Sequence, residues 1–255
     1  MANPAAFFLA MGAFTALTVT RALVETEHSR SCPWSCLLFV QMWPGSFCVA
    51  LGKKFECVMS KNTGNWTIHG LWPSNVMKCC PYWYLFPSDL VDLTSELNSH
   101  WPTFTNLTNF QFWENEWQKH GTCAGCAEAL SSPNKYFRAA LFLHTKYNID
   151  RVLEGAAIVP SCKHGYQLST LEAVLQPLLG DQHELQCVRD TWGRQVLVQV
   201  KASLHSNFST GCIASTGRGA SPYKPCGPQQ SVFYFPASRE HPRNPCPPGL
   251  RRPGQ

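Results

Sequence analysis

Charge and long apolar runs are what this sequence has least of. Only 15% of its 255 residues are Asp, Glu, Lys or Arg. After residue 22 no segment approaches the ~20 consecutive apolar residues of a membrane-spanning helix, which excludes a further spanning helix. The formal net charge of +5 sits mostly at the ends, with Arg21 near the start and four arginines against one glutamate after residue 235. Residues 23–235 carry 16 basic and 15 acidic side chains, so no bulk basic field argues for a nucleic-acid partner. Nine histidines add positive charge only below about pH 6.5. No internal repeat is present, and a hydrophobic content of 44% excludes a fibre or a wholly disordered chain.

What is present begins with a leader. "MANPAAFFLAMGAFTALTVTRA", residues 1–22, has an uncharged apolar run from Ala5 to Thr20 and small residues near Ala22. It reads as a secretory signal peptide. Its lack of a basic start leaves an uncleaved anchor as the other reading, and a cleaved chain carries no membrane segment. All thirteen cysteines follow the leader, which favours disulfides in an oxidising compartment. Their odd number leaves one thiol free or paired with another molecule. Three sequons, at Asn65, Asn106 and Asn207, fit a secreted glycoprotein.

"CLLFVQMW" (36–43), "WTIHGLW" (66–72), "QVLVQVKASL" (195–204) and "SVFYF" (231–235) are β-branched or aromatic-rich runs of strand length. Helical patterns fall at about 88–99, 109–119, 134–147 and 169–179. The alternation predicts an α+β domain over 23–235, with a mostly antiparallel β-sheet packed with several helices. The last twenty residues, 236–255, contain six prolines and four arginines and are expected to form a flexible tail.

Two motifs carry chemistry. In "FWENEWQKHGTC" (112–123), Thr108 and Gln111 form a plausible capping box for a helix starting just before it. At roughly 100° per residue, Glu116 and His120 lie about 40° apart on one face, with Lys119 on the other side of Glu116. An amphipathic helix burying Phe112, Trp113 and Trp117 behind a Glu–His pair would show the same pattern. In "NWTIHGLWPS" (65–74), His69 lies in a short strand between tryptophans and precedes a glycine that permits close approach to the backbone. A hydrogen-bonded core histidine is the plainer reading of that residue alone, as core packing is of Trp72, whose indole is also a flat platform for a base. Together the motifs offer two histidines on different elements, a carboxylate and an ammonium. Metal-free RNA cleavage needs that set: a base for the 2′-hydroxyl, an acid for the departing 5′-oxygen, and groups that stabilise a phosphorane.

"WTIHGLWP" and "FWENEWQKHGTC" resemble the two active-site segments of the ribonuclease T(2) family, the Rh-type acid endoribonucleases of secretory and lysosomal compartments. The resemblance extends from "FVQMWP" (39–44) through "KYF" (135–137) to "VFYFP" (232–236). It implies a disulfide-stapled α+β fold, no metal and no cofactor, a single-stranded RNA substrate, a monomer, and transphosphorylation through a 2′,3′-cyclic phosphate. His120 resembles the general base and His69 the general acid, roles that the sequence leaves exchangeable. Glu116 and Lys119 resemble the groups that stabilise the pentacovalent intermediate. Gln41 and Phe112 resemble base-pocket residues on one side of the scissile phosphate, and Trp72 the stacking residue on the other.

Two positions depart from the family pattern. Asn115 stands where a histidine commonly precedes the catalytic glutamate; it can hydrogen-bond a phosphate oxygen but brings no charge, which implies weaker substrate binding more than lost chemistry. Ser74 stands where an aspartate often contacts the base. The resemblance pairs Cys48 with Cys57, Cys79 or Cys80 with Cys123, and Cys187 with Cys226. Its further bridge, ending near Cys212, lacks a partner because the matching position falls near Lys201. Cys126 and Cys162, both extra, are expected to pair.

Two rival readings remain: a non-catalytic secreted relative acting as a binding or signalling protein, and a metal-dependent nuclease. Retention of His69, Glu116, Lys119 and His120 argues against the first. The absence of clustered carboxylates near the motifs argues against the second. Cys123 and Cys126 have the spacing of half a zinc site, but no second half is evident. The compartment is expected to be extracellular or lysosomal.

Overall fold

The computed structural model describes residues 32–51, 55–59, 64–214 and 223–247. The expected leader lies outside the described residues. In chain order the elements are β1 (Leu37–Met42), α1 (Pro44–Ala50), β2 (Thr67–Pro73), a 3₁₀ turn (Pro87–Leu90), α2 (Thr94–His100), α3 (Asn109–Glu116), a π-helical turn (Trp117–Gly121), α4 (Thr122–Ala124), a second 3₁₀ turn (Glu128–Leu130), α5 (Pro133–Lys146), α6 (Ile149–Gly155), α7 (Leu168–Leu179), β3 (His183–Arg189), β4 (Gln195–Leu204), β5 (Lys224–Pro225) and β6 (Val232–Phe233).

One sheet runs β2-β1-β4-β3-β5, antiparallel throughout that path. β6 lies parallel to β4 at Gln195 and Val196, beyond the residues that β1 pairs. The α+β class with a mostly antiparallel sheet is therefore what forms. β4 is flanked on both sides and almost wholly buried, apolar through Val196–Val198 and then alternating apolar residues with Gln199, Lys201 and Ser203. β2 is an edge strand, and side chains from the helical layer cover it. Tyr136 of α5 donates its hydroxyl to the Leu71 carbonyl at 2.8 Å, and Trp101 donates Nε1 to the His69 carbonyl at 3.1 Å. Such covering occupies carbonyls that would otherwise be open to another strand.

Local signals set several boundaries. Ser132 caps α5 by accepting from the Lys135 amide, with Pro133 in the first turn, where its missing N–H costs nothing. The single helix expected at about 88–99 resolves instead into the 3₁₀ turn and α2. β3 was not among the expected strands. Its sequence, His183–Arg189, mixes charged and apolar residues because one of its faces is a polar row, described below.

Six disulfides form among the described residues. Cys48–Cys57 and Cys187–Cys226 are as expected. Cys123 pairs with Cys79, leaving Cys80 as the free thiol and correcting its place among the bridged residues. The expected Cys126–Cys162 bridge does not form: Cys126 joins Cys32, and Cys162 joins Cys246. Cys212 finds a partner in Cys36, because Leu37 pairs with Leu204 and the chain then returns through the Leu204–Thr210 bridge to the start of β1.

The expected flexible tail is also corrected over residues 236–247. Cys246 is 1% exposed and disulfide-bonded. Arg194 donates to its carbonyl, and Arg243 donates to the carbonyls of Leu51 and Phe55. A bridge closing a long loop stabilises by about 2–4 kcal/mol, so this segment is fastened to the domain.

Candidate active site

The helix that carries the second motif starts as its sequence predicts. Thr108 Oγ1 accepts from the Gln111 amide at 3.1 Å, and Gln111 Oε1 accepts from the Thr108 amide at 2.9 Å. That reciprocal box opens α3. The regular α-helix expected to 119 ends at Glu116, and Trp117–Gly121 form a π-turn, closed where the Thr122 amide bonds to the Trp117 carbonyl five residues back. A π-turn holds an extra residue and recurs at functional sites. It shifts Lys119 and His120 around the axis relative to Glu116, away from the angles a regular helix gives. Gly121 permits this packing: a Cβ there would lie 2.1 Å from Cε3 of Trp117. The turn is anchored outside by Trp117 Nε1 and Gln118 Nε2, which donate to the Trp83 carbonyl at 2.8 and 2.9 Å. The Cys79–Cys123 bridge fastens its far end.

His69 is placed by a β-bulge. In the β1–β2 register Val40 pairs with Gly70 and Gln41 with Ile68, so His69 is passed over. A bulge leaves its extra residue unpaired and re-aims the side chain. The strand and helix are tied through Trp101, which donates to the His69 carbonyl and accepts from Trp113 Nε1 at 2.7 Å.

Trp72 joins the two halves. Its Nε1 donates to Glu116 Oε2 at 2.7 Å. Its ring stacks on His120, with centroids 5.1 Å apart and planes 29° apart, and meets the His69 ring edge-on at 5.0 Å. Gly70 makes this contact possible, since a Cβ there would lie 2.0 Å from Trp72 Nε1 and 2.4 Å from Glu116 Oε2. Phe112 lies 6.5 Å from His69, ring to ring.

Burial sets the electrostatics. Desolvation lifts the Glu116 carboxyl to about 7, against the smaller lowering effects of the Trp72 hydrogen bond and Lys119. The carboxyl is therefore neutral in mild acid and can donate a proton or a hydrogen bond. Desolvation lowers His69 to about 4, with Gln199 opposing it by accepting a hydrogen bond from Nδ1, and Lys119 and Lys201 lowering it further. Desolvation, then Lys119 and His69, lower His120 to about 3. Nδ1 of His120 has no protein partner among the described residues. Lys119 is exposed, and its charge acts on all three groups.

The structure thus brings together His69, Trp72, Phe112, Glu116, Lys119 and His120. Asn115 is exposed immediately before Glu116. Gln41 does not present an edge for a base: it is 2% exposed, and its amide donates to the Tyr147 carbonyl at 2.8 Å. Ser74 is also committed elsewhere, 3% exposed and accepting from the Cys36 amide. Sequence reasoning missed Gln199. The one available signal was the alternation of Gln199, Lys201 and Ser203 with apolar residues, and only the strand register brings Gln199 to His69.

Two histidines packed against one indole, with a buried carboxyl and an ammonium beside them on an α+β scaffold, are the groups that acid–base phosphoryl transfer needs. The Ribonuclease T2 family model matches residues 34–216. The chain belongs to that family and is an endoribonuclease of the T2 type. Among its relatives, Ribonuclease T2 of Danio rerio is 36% identical over 186 residues, covering 72% of this chain and 75% of that protein. The crystal structure of human RNase T2 matches at a TM-score of 0.65 and 30% identity, covering 80% of this chain and 99% of that one. RNase NT in complex with 5′-AMP matches at 0.67 and 26%, covering 79% and 99%.

Proposed function

We propose that the site cleaves single-stranded RNA by metal-independent transphosphorylation. His120 takes the proton from a 2′-hydroxyl, whose oxygen attacks the adjacent phosphorus. The bond from phosphorus to the 5′-oxygen breaks, and His69 gives that oxygen a proton. The products are a 2′,3′-cyclic phosphate and a free 5′-hydroxyl. Glu116, as a neutral donor, and Lys119, as a cation, serve the charge that accumulates on the non-bridging oxygens. Phe112 borders the site, and Asn115 offers an uncharged hydrogen bond at its rim.

The observation that carries this reading is the pair of histidine rings on Trp72, at 5.0 and 5.1 Å, beside a carboxyl that burial keeps protonated. At His69 the Gln199 hydrogen bond opposes the lowering, whereas at His120 desolvation, Lys119 and His69 all lower, which suits His69 to the acid role. The described residues contain no group of three or more His, Cys, Asp or Glu placed to hold a metal. The nucleotide in RNase NT supports an RNA substrate here. Six disulfides and exposed sequon asparagines at 65, 106 and 207 support glycosylation and a secretory or lysosomal location. No helix among the described residues is long and apolar enough to cross a membrane.

Incubation of the purified protein with single-stranded RNA at about pH 5 and pH 7, with and without a chelator, tests the reading. Chelator-resistant cleavage with cyclic phosphate ends is expected, falling about 10²–10⁴-fold in His69→Ala or His120→Ala. Cleavage abolished by the chelator, or undiminished in both variants, overturns it.

A further inference from the structure

His69 Nδ1 lies 2.7 Å from Gln199 Oε1. A carboxamide oxygen only accepts, so this contact requires a proton on Nδ1 whatever the charge of the ring. The orientation of the Gln199 amide is decided by its neighbours. Gln199 is 1% exposed, and its Nε2 donates to Gln186 Oε1 at 2.6 Å. Gln186 is 3% exposed, and its own Nε2 donates to Glu184 Oε1. Lys201 Nζ donates to the same carboxylate oxygen at 3.2 Å. An ionised carboxylate has no proton to give, so the far end of the chain fixes the sense of every amide: each turns its NH₂ toward Glu184 and its oxygen toward His69.

The sheet builds this row. Gln186 pairs with Gln199, and Glu184 with Lys201, across β3 and β4. Being two residues apart on each strand, the four share one face. Leu185 and Val200, on the alternate face, are buried apolar residues. The row emerges at the surface where the Glu184 side chain is 42% exposed.

We propose that Gln199, oriented through Gln186 by Glu184, is a positioning residue that holds neutral His69 as its Nδ1-protonated tautomer and leaves Nε2 as the only ring atom that exchanges a proton. This rests on the reading of His69 as a proton-transferring group. A neutral amide fixes the tautomer without placing a carboxylate against the ring, so the imidazolium is not stabilised to the point of withholding its proton. Partners that orient metal-ligating histidines in this way are typically worth about 10–100-fold, and a loss of the same order is expected here.

The test combines histidine ¹⁵N NMR of the full mature chain with pH profiles of cleavage for wild type, Gln199→Leu and Gln199→Glu. Wild-type His69 is expected as the Nδ1–H form. Gln199→Leu should mix the tautomers and lower kcat about 10–100-fold with KM within about two-fold. Gln199→Glu should move the alkaline limb of kcat/KM to higher pH, because it sets a charge against the ring. A folded Gln199→Leu protein with an unchanged tautomer and pH profile overturns the proposal, even if its yield or activity is lower. If that variant does not fold, Glu184→Ala at the exposed end should loosen the His69 tautomer in the same direction, and no change there also overturns the proposal. Wild-type protein that leaves RNA uncut, or full activity in His69→Ala, defeats the catalytic reading; the NMR measurement still decides the hydrogen-bond chain.

Discussion

The Trp72 indole donates its single N–H to Glu116 Oε2 at 2.7 Å while the same ring stacks on His120 at 5.1 Å. One side chain therefore couples the strand that carries His69 to the helix that carries Glu116 and His120. Trp72→Phe separates these two contacts, because it keeps a ring for stacking and removes the donor. The Glu116 carboxyl then loses a bond that favours its ionised form, and its pKa rises further. kcat should fall about 10-fold or more with little change in KM, since a misplaced orienting contact acts on the transition state. An unchanged kcat would show that the indole serves packing alone.

The pH dependence of kcat/KM reports the free enzyme. With His69 at about 4 and His120 at about 3, loss of the acid's proton begins well below the ordinary histidine value of about 6.5. The alkaline limb should therefore start in the acid range. Bound phosphate favours the imidazolium, so the limb of kcat should lie at higher pH than that of kcat/KM. A kcat/KM limb centred at or above pH 6.5 contradicts the burial argument.

Glu116→Gln should stabilise the fold at neutral pH while lowering activity. In the folded chain the carboxyl stays protonated up to about 7, whereas the unfolded one ionises from about 4.5. Stability is thus lost as pH rises between those values, and the loss is constant above them. The amide oxygen can keep the Trp72 hydrogen bond without that penalty. Urea unfolding should show a gain on the order of 2–3 kcal/mol at pH 8 and almost none at pH 4. An equal gain at both pH values would point to packing in place of ionisation.

Asn115→His restores an ionisable group at an exposed position beside Glu116. Below about pH 6.5 its charge should attract the phosphate, lowering KM several-fold and leaving kcat within about two-fold. Steady-state kinetics at about pH 5 decides this, and a large rise in kcat at unchanged KM would refute the binding role.

Cys80 is the one unbridged cysteine among the described residues, next to the Cys79–Cys123 staple. Cys80→Ser should leave Tm and activity unchanged and abolish the single thiol titrated in denaturant. Cys79→Ser should destabilise by about 2–4 kcal/mol. Retention of the thiol in Cys80→Ser would mean that the pairing is different.

Much of this protein is local and was therefore legible. The Thr108–Gln111 box, the strand-length run of β4, and the grouping of Glu116, Lys119 and His120 in one motif and of His69 and Trp72 in another are properties of neighbours within a few positions. They determine the α+β class and the kind of chemistry the chain is equipped for. The remaining features depend on residues far apart in sequence, and tertiary structure decided them. Strand register created the bulge that turns His69 out of its ladder, carried Cys36 to Cys212, and set Gln199 against the imidazole. Packing of Trp117 on Gly121 accompanies the π-turn that displaces His120 from its α-helical position. Burial committed Gln41 and Ser74 to internal hydrogen bonds and raised the pKa of Glu116. Desolvation and register are properties of the assembled fold, and neither is encoded in the spacing of any one segment.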